Sequence, residues 1–425
     1  MAKGACYFSK IMKLIYLHQY FNTPDMAGGT RSYEIARRLV AQGHEVHMIT
    51  TDRNISATGY RRTWHETEEA GIKVSWFAVP YSNHMDFGHR IGAFLKFAWA
   101  AAKKAALIKG DIIFATSTPL TIAIPGVYAS RKHKIPLVFE VRDLWPEVPV
   151  AVGALKNPFV IYGARKLERF AYGNSKKIIA LSPGIRDAIV NSGYPENHIT
   201  TISNGCDIEM FDSSEEEAVK FRQKHIWLED RPLVVYCGTL GKINGVSYLA
   251  NIAQAVMHID PEVRFLVVGG GKEEDVVRVK AQELGVLDKN FFMQSKVPKK
   301  EIPAILKAAS LAVSLFINIP EMRNNSANKF FDSLAAGTPV AINYGGWQAD
   351  VLRRTGSGIV LDPENIEGAA HDIINIIHDE KRLISAREAA IKLAREEFSR
   401  DVLTTRLEKI LQEVVDETNE DTKIR

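Results

Sequence analysis

Lys329 lies at the start of a predicted helix in the segment "NNSANKFFDSLAAGTPV", residues 324–340. A helix N-terminus already carries partial positive charge, so a lysine there is unfavourable unless an anion lies between it and the free backbone N–H groups. The alternative is that Lys329 extends into solvent. Ser326 and Asn328 are both typical N-cap residues, and Asp332 suits the helix dipole whatever its function. The segment therefore predicts an anion site at Lys329 and gives Asp332 a structural explanation.

Two other loops place residues of phosphate-binding type before a helix. The segment "GTLGKINGVS", residues 238–247, carries Lys242 between glycines, either as a phosphate contact or as a solvated lysine. Gly28 and Gly29 precede a helix that is predicted to begin near Thr30. Glycines there let backbone N–H groups approach a ligand closely, although a plain turn explains the same pair.

Arg142 and Asp143 follow a predicted buried strand directly, in "EVRDLWPE", residues 140–147. Ligands of open parallel sheets bind beyond the carboxyl ends of the strands. The position therefore supports two interpretations equally: a functional role, or an ordinary structural ion pair with other charges.

Short apolar runs alternate with helical periods along most of the chain, which is typical of parallel strands joined by crossover helices. The predicted strands lie at 13–20, 45–50, 111–116, 136–141, 177–182, 232–238, 263–271, 311–316 and 338–343. Residues 212–231 interrupt the alternation with a highly charged stretch that has no predicted strand. The sequence therefore predicts an α/β fold of two doubly wound parallel sheets.

Composition narrows the classes of function. The 425 residues contain no apolar run of the roughly 18 residues that span a bilayer, no secretory signal and no metal-binding spacing. Three scattered cysteines, Cys6, Cys206 and Cys237, indicate reduced cytosolic thiols. Residues 1–210 hold 26 Lys and Arg against 17 Asp and Glu, a net +9, whereas the remainder is −5. This asymmetry favours an anionic substrate or a membrane surface, because no nucleic-acid motif accompanies it.

These segments together resemble the retaining GT-B glycosyltransferases of family 4, particularly bacterial enzymes of surface-polysaccharide synthesis that carry an RDLWPE segment. The resemblance extends over roughly residues 13–415 and is carried by residues 28–50, 141–147, 180–211, 236–249 and 327–346. It implies two Rossmann-like domains facing across a cleft. The expected boundaries are an acceptor-side domain at 1–210 with 400–425 packing back on it, a linker at 211–231 and a donor-binding domain at 232–399.

The activity implied is sugar transfer with retention, from a nucleotide diphosphate sugar, of which a UDP-linked one is favoured, to a lipid-linked or saccharide acceptor. The N-acetylated and deoxy sugars are candidates for the group transferred. The resemblance implies action at the cytoplasmic side of the inner membrane, with no metal or cofactor and no nucleic-acid partner. Asp332 matches the carboxylate that holds the donor ribose, and residues 326–329 match the helix start that faces the donor. The catalytic candidates are Arg142, Asp143, Lys242 and Lys329, and the donor-binding candidates are Gly28, Gly29, Lys242, Ser326, Ala327, Asn328, Lys329 and Asp332.

The sequence departs from the family pattern at four positions. Asn324 replaces the first of two glutamates, Thr239 and Asn244 replace a donor-loop arginine and lysine, and Arg142 replaces a histidine. These departures keep two alternatives open: a catalytically inactive subunit that binds sugar nucleotides, and a GT-B epimerase of UDP-sugars. A nicotinamide dehydrogenase is disfavoured, because the glycines at 269–271 lack the dinucleotide spacing.

One amphipathic segment in the basic half, residues 89–110, predicts either a membrane-surface helix or an ordinary helix packed on the sheet. Its apolar stripe comprises Ile91, Phe94, Leu95, Ala98 and Trp99, and lysines lie beside it.

Overall fold

The computed structural model describes residues 10–26, 28–53, 64–80, 85, 87–212 and 214–424. Cys6 lies outside these residues. The chain forms two compact units, of which unit 1 runs to Ile202 and includes the residues from Thr404 onward. Unit 2 comprises Ser203–Leu403.

Unit 1 is built on an eight-stranded sheet in the order β3-β4-β2-β1-β5-β6-β7-β8. All neighbouring strands are parallel except β3 and β4. The strands are β1 (Lys13–Leu17), β2 (Glu45–Asp52), β3 (Trp64–Glu69), β4 (Ile72–Ala78), β5 (Ile112–Thr116), β6 (Leu137–Val141), β7 (Lys177–Ala180) and β8 (Ile199–Thr201). Every strand predicted in this half is present, whereas β3, β4 and β8 were not predicted.

The helices of unit 1 cover both faces of this sheet. They are α1 (Arg31–Ala41), α2 (Phe87–Ala105), α3 (Ala123–His133), α4 (Glu147–Ala151), α5 (Pro158–Gly173) and α6 (Pro183–Asn191). Helices α2, α3 and α5 connect strands that advance in one direction along the sheet, so right-handed crossovers place them on one face, where α3 packs between the other two. Helix α1 connects β1 to β2 in the opposite direction and therefore covers the other face.

A buried ion pair lies at the centre of unit 1. Arg31, the first residue of α1, donates from Nε and Nη2 to Glu140 Oε1 at 3.1 and 2.7 Å, and both side chains are essentially inaccessible. The same guanidinium donates to the carbonyl oxygen of Ile202, and the Thr116 hydroxyl donates to Glu140 Oε2 at 3.1 Å. The pair thus joins α1, β5, β6 and the last residue of the unit before the chain enters unit 2.

Unit 2 contains a fully parallel six-stranded sheet in the order β11-β10-β9-β12-β13-β14. Its strands are β9 (Leu233–Thr239), β10 (Arg264–Gly270), β11 (Phe291–Gln294), β12 (Leu311–Ser314), β13 (Val340–Ile342) and β14 (Gly358–Val360). Its helices are α7 (Ile208–Phe211), α8 (Glu215–Lys224), α9 (Ser247–Ile259), α10 (Glu274–Glu283), α11 (Ile302–Ala308), α12 (Asn328–Ala335), α13 (Trp347–Thr355), α14 (Ile366–His378) and α15 (Glu380–Glu396). The prediction of an α/β fold with two Rossmann-like parallel sheets is confirmed.

The glycines at 269–271 are required by close backbone packing. A Cβ atom at Gly269 would overlap the carbonyl oxygen of Gly238, and one at Gly271 would overlap that of Leu240. The carboxyl ends of β9 and β10 therefore approach each other too closely for side chains. Gly269 and Gly270 belong to β10 itself, and the absence of side chains at Gly269 and Gly271 is explained by this packing.

The charged stretch expected to be a linker at 211–231 is part of unit 2 instead. Ser214 and Glu217 form a capping box that starts α8, and α8 packs against α11. The Arg222 guanidinium donates to the carbonyl oxygens of Ala308 and Arg231. The chain enters unit 2 after Ile202, earlier than the expected boundary, and returns to unit 1 within the last helix, α16 (Arg400–Ile424).

Breaking the buried ion pair should destabilise unit 1. We expect Arg31→Met to lower the free energy of unfolding by about 3–5 kcal/mol, because it leaves the carboxylate of Glu140 buried without a counter-charge. The double variant Arg31→Met, Glu140→Met should recover much of that loss. Urea denaturation, with hydrogen exchange at β5 and β6 to localise the change, measures both. A single variant within about 1 kcal/mol of wild type, on the same scale, would contradict the assignment.

Candidate functional site

The N-terminus of α12 carries no side-chain cap. Its N-cap residue is Ala327, so the prediction of Ser326 or Asn328 as the cap was wrong. The Ser326 hydroxyl instead accepts a hydrogen bond from the Asn204 backbone at 3.0 Å, and Asn328 lies inside the helix with its Oδ1 buried and without a hydrogen bond. The backbone N–H groups of the first helical turn consequently have no capping acceptor among the described side chains.

Lys329 folds into unit 2 and does not extend into solvent. Its Nζ donates to Asn244 Oδ1 at 3.0 Å and lies 5.3 and 5.8 Å from the ring centroids of Tyr236 and Phe316. A Cβ atom at Gly238 would overlap Cε of Lys329, so the glycine at this point of β9 makes room for the lysine. The solvent-exposed alternative for Lys329 is therefore wrong.

The ammonium group of Lys329 lacks a strong counter-charge. Among the described residues, no carboxylate oxygen lies within 4.0 Å of Nζ; its hydrogen-bond acceptor is the neutral amide of Asn244. Burial lowers the pKa of Lys329 to about 8, and the charge of Asp332 offsets only part of that effect. A bound anion would supply the missing stabilisation.

Asp332 is the fifth residue of α12, beyond the first turn. The structural explanation from the helix dipole therefore loses force, because that effect fades after one turn. The carboxylate lies 3.9 Å from Lys299 Nζ, and its side chain is 19% exposed. Burial raises the pKa of Asp332, with Lys299 acting in the opposite direction. Asp332 and Lys329 line one small recess together with Cys237 and Ser333.

Lys242 takes a different environment from Lys329. It begins a short 3₁₀ segment, Lys242–Asn244, and its side chain is exposed. The segment is fixed by a hydrogen bond from the Asn244 backbone N–H to the Gly241 carbonyl at 2.8 Å, and it ends at Gly245, whose φ is +56°. This turn orients the Asn244 side chain toward Lys329 and leaves Lys242 at the loop surface.

The glycine loop of unit 1 is organised by Asn22. The amide Nδ2 of Asn22 donates to the carbonyl oxygens of Tyr20 and Gly29 at 3.1 and 3.2 Å. Gly28 has φ +136°, and a Cβ there would lie 2.7 Å from Asn22 Nδ2. Both Gly28 and Gly29 are exposed and immediately precede α1.

Arg142 pairs with a histidine that the sequence reasoning missed. Its Nη1 donates to Nε2 of His18 at 3.3 Å, and His18 Nδ1 lies 2.7 Å from the Ser32 hydroxyl. Burial, followed by the charges of Arg142, Arg53 and Arg31, lowers the pKa of His18 well below its usual range. His18 is therefore neutral and accepts from Arg142 through Nε2. The predicted strand at 13–20 included His18, whereas β1 ends at Leu17 and leaves His18 at the strand end, where parallel sheets place ligand-binding groups.

Asp143 is exposed, and its Oδ2 accepts a hydrogen bond from the Thr118 hydroxyl at 3.3 Å. The adjacent Arg142 and Asp143 do not form the structural ion pair considered as the alternative, since among the described ion pairs neither takes part. Within the described part of the chain, no group of three or more His, Cys, Asp or Glu residues is placed to hold a metal ion. Cys206 and Cys237 form no disulfide.

Two families of sequence match the two units. Residues 27–205 match the family described as "Glycosyl transferase 4-like domain", and residues 218–396 match "Glycosyl transferases group 1". The candidates Gly28, Gly29, Arg142 and Asp143 fall in the first match, and Lys242 and Lys329 in the second.

Individual relatives are distant. The chain is 24% identical over 270 residues to a D-inositol 3-phosphate glycosyltransferase of Corynebacterium urealyticum, covering 59% of this chain and 62% of that protein. It is 22% identical over 263 residues to the capsular polysaccharide biosynthesis glycosyltransferase CapM of Staphylococcus aureus, covering 59% and 64%. The chain thus spans less than two thirds of the length of these curated relatives.

Solved structures share the fold over nearly the whole chain. Anabaena HepE, solved in complex with UDP, has a TM-score of 0.71 at 18% identity and covers 95% of this chain and 100% of its own. This likeness establishes the GT-B fold. The chain therefore has the GT-B fold, with a region that matches the glycosyl transferase 4-like family followed by a region that matches the glycosyl transferases of group 1.

Proposed function

We propose that this protein transfers a sugar, with retention at the anomeric carbon, from a nucleotide diphosphate sugar to an acceptor. The observation that carries the proposal is the ammonium of Lys329, which is held beside an uncapped helix N-terminus with only a neutral hydrogen-bond acceptor among the described residues. A diphosphate supplies the charge that this arrangement lacks. Leaving-group departure then increases the negative charge on that diphosphate while the sugar becomes cationic, and fixed positive groups stabilise this separation without reorganisation.

In this proposal, different residues of unit 2 bind different parts of the donor. Lys329 and the backbone amides of residues 328 and 329 bind the diphosphate, and Lys242 at the loop surface adds a second cation. Asp332 accepts hydrogen bonds from the ribose hydroxyls. The buried Oδ1 of Asn328, which has no hydrogen bond, provides a further acceptor for a donor hydroxyl.

The residues of unit 1 serve the acceptor side. Arg142 donates to the neutral His18 rather than to a carboxylate, which leaves its guanidinium available to an anionic group. Asp143 is exposed and accessible to a hydroxyl proton of an acceptor, and Gly28 and Gly29 let a ligand approach the backbone. No metal is required in this scheme.

The donor base and the pathway are supported by resemblance. A UDP-linked donor is favoured because the related fold of HepE was solved with UDP. A role in surface-polysaccharide synthesis, with a lipid-linked or saccharide acceptor at the cytoplasmic face of the inner membrane, is favoured by the likeness to CapM. The N-acetylated and deoxy sugars stay candidates for the transferred group.

A thermal-shift screen of UDP-, GDP- and dTDP-sugars, followed by donor hydrolysis without acceptor, tests the proposal. We expect a stabilising UDP-sugar and slow release of UDP with the liberated sugar initially in the anomeric configuration of the donor. Binding without any UDP release would instead support the inactive subunit, to which Asn324 and Thr239 point. Conversion of the donor to an isomeric UDP-sugar would support the epimerase.

Lys329→Met should weaken UDP binding and remove its pH dependence. We expect a loss of roughly 1.5–3 kcal/mol, the scale of a hydrogen bond to a charged group. In the wild type, affinity should hold at lower pH and fall as the pH rises through about 8, because Lys329 then loses its proton. Calorimetric titration on both sides of that pH measures both effects, with Lys392→Met, which changes an exposed lysine of α15 outside the candidate site, as the matched control. Equal affinities of the Lys329→Met variant and wild type at neutral pH would refute the role.

The same substitution has a predictable effect on folding. The pKa of Lys329 is lower in the folded protein than in the unfolded chain. The buried charge therefore lowers the free energy of unfolding below about pH 8. This cost disappears as the pH rises from there to the usual pKa of a lysine side chain. Lys329→Met should therefore be as stable as wild type at neutral pH or more stable, by up to about 3 kcal/mol. A clearly less stable variant would show that Lys329 is structural.

Asp332→Asn should abolish discrimination between ribose and deoxyribose nucleotides. Wild type should prefer UDP over 2′-deoxy-UDP, because the carboxylate accepts a charge-assisted hydrogen bond from the ribose. The variant should bind both with one affinity, close to that of wild type for the deoxy nucleotide. If the preference survives the substitution, Asp332 does not hold the ribose.

A further inference from the structure

Among the described side chains, the exposed aromatic ones are confined to three neighbouring helices. Across all residues whose side chains are described, every exposed Phe, Tyr and Trp belongs to α2, α3 or α5. These residues are Trp99 (66% exposed), Tyr128 (51%), Phe159 (84%), Tyr162 (60%) and Phe170 (37%). Because the three helices cover one face of the unit 1 sheet, these side chains share that face, here called the aromatic–basic face.

Helix α2 divides its apolar residues between the core and this face. Phe94 and Ala98 are buried against the sheet, whereas Leu95 and Trp99 are 50% and 66% exposed one turn apart. The stripe predicted from residues 89–110 therefore does not form a single surface. Only its Leu95–Trp99 edge is available to a partner.

Helix α5 presents its aromatics at its first turns. Asn157 Oδ1 accepts hydrogen bonds from the backbone N–H groups of Phe159 and Val160, and Pro158 occupies the first position, so the helix start is well defined. Phe159 and Tyr162 follow within one turn on the outer side. The sequence reasoning did not identify this second half of the surface.

The charge of these helices has one sign. Together α2, α3 and α5 contain nine Lys and Arg and a single acidic residue, Glu168, which is buried. Lys103 Nζ lies 5.0 Å from the Trp99 ring centroid, and Lys166 Nζ lies 4.7 Å from that of Tyr162. Cations and aromatic rings are thus interleaved at the surface itself.

We propose that the aromatic–basic face docks on the surface of an anionic lipid bilayer. Aromatic and aliphatic side chains at such exposure suit the headgroup boundary, where Trp and Tyr are favoured, and the lysines and arginines match anionic headgroups. A nucleic acid would match the charge but leave Leu95 and the outward edge of Phe159 without apolar surroundings. No helix in the described part of the chain is long and apolar enough to cross a membrane, so the contact is with the surface.

This docking is separate from the donor chemistry proposed above, because none of the face residues belongs to the candidate site. A lipid-linked acceptor would gain from the docking, but the surface argument does not depend on one. Failure of one proposal therefore leaves the other open to its own test.

Vesicle flotation of the full-length protein tests the docking. We expect binding to phosphatidylcholine vesicles that contain phosphatidylglycerol, weak binding to pure phosphatidylcholine, and loss of binding as salt is added. The double variants Trp99→Ser, Phe159→Ser and Lys103→Glu, Lys166→Glu should each lower the partition coefficient by roughly tenfold or more. Lys104 is not used, because its ammonium pairs with Glu66.

Two matched controls come from unit 2. Ile226 is as exposed as Phe159, at 84%, and Lys392 is an exposed lysine on α15. Ile226→Ser and Lys392→Glu should leave vesicle binding unchanged. UDP affinity of all variants, measured in the absence of vesicles, should equal that of wild type, and circular dichroism establishes that they are folded.

Three outcomes would overturn the docking proposal. The first is no flotation on anionic vesicles at low salt. The second is a lack of specificity: the protein partitions equally onto neutral and anionic vesicles, or the unit 2 control variants lose as much vesicle binding as the face variants. The third is tight binding of single-stranded RNA that the same face substitutions abolish while vesicle binding is absent, which would assign the face to nucleic acid.

Discussion

The ammonium group of Lys329 is the constraint around which the carboxyl end of the unit 2 sheet is arranged. Placing a cation beside the positive end of α12, away from water, is unfavourable on both counts. Gly238 has no side chain at the point where Cε of Lys329 lies, which leaves room for the lysine, and the 3₁₀ turn aims Asn244 at Nζ. The family resemblance predicts a lysine at position 244, where a second ammonium would repel the first at close range. The protein thus fixes one cation without neutralising it, and an anionic ligand completes the arrangement.

The contrast with Arg31 shows what a structural charge requires in the same protein. Arg31 is paired with Glu140, donates also to the Ile202 carbonyl, and its partner is further satisfied by Thr116. Lys329 and Arg142, by comparison, have the neutral acceptors Asn244 and His18 among the described residues. A buried charge that is fully paired holds the fold together, whereas one left with a neutral acceptor at a strand end is available to a ligand.

The fold could be predicted well from the sequence because buried parallel strands are nearly continuous apolar runs. Every apolar run that was predicted to be a strand forms one in the structure. The sequence reasoning missed β3, β4, β8, β11 and β14. Of these, β3 ("WHETEE") lies at the sheet edge, is polar and is mostly accessible. The site is less predictable for a different reason. Lys329 was identified from its clash with the helix dipole, a local property. Its partner Asn244 is 85 residues away, and His18 is 124 residues from Arg142, so neither contact follows from local pattern.

The distribution of charge over the surface cannot be predicted from the sequence, although the total charge can. The net +9 of the first 210 residues is correct as a sum but says nothing of its distribution. The structure concentrates it on α2, α3 and α5, while α16, which returns to unit 1, holds seven acidic residues against four basic ones. The periodicity of α2 was equally ambiguous, because Phe94 with Ala98 and Leu95 with Trp99 are both spaced four residues apart. Only the packing of α3 and α5 beside α2 decides which pair is covered, and that packing is set by the strand order, which no single helix encodes.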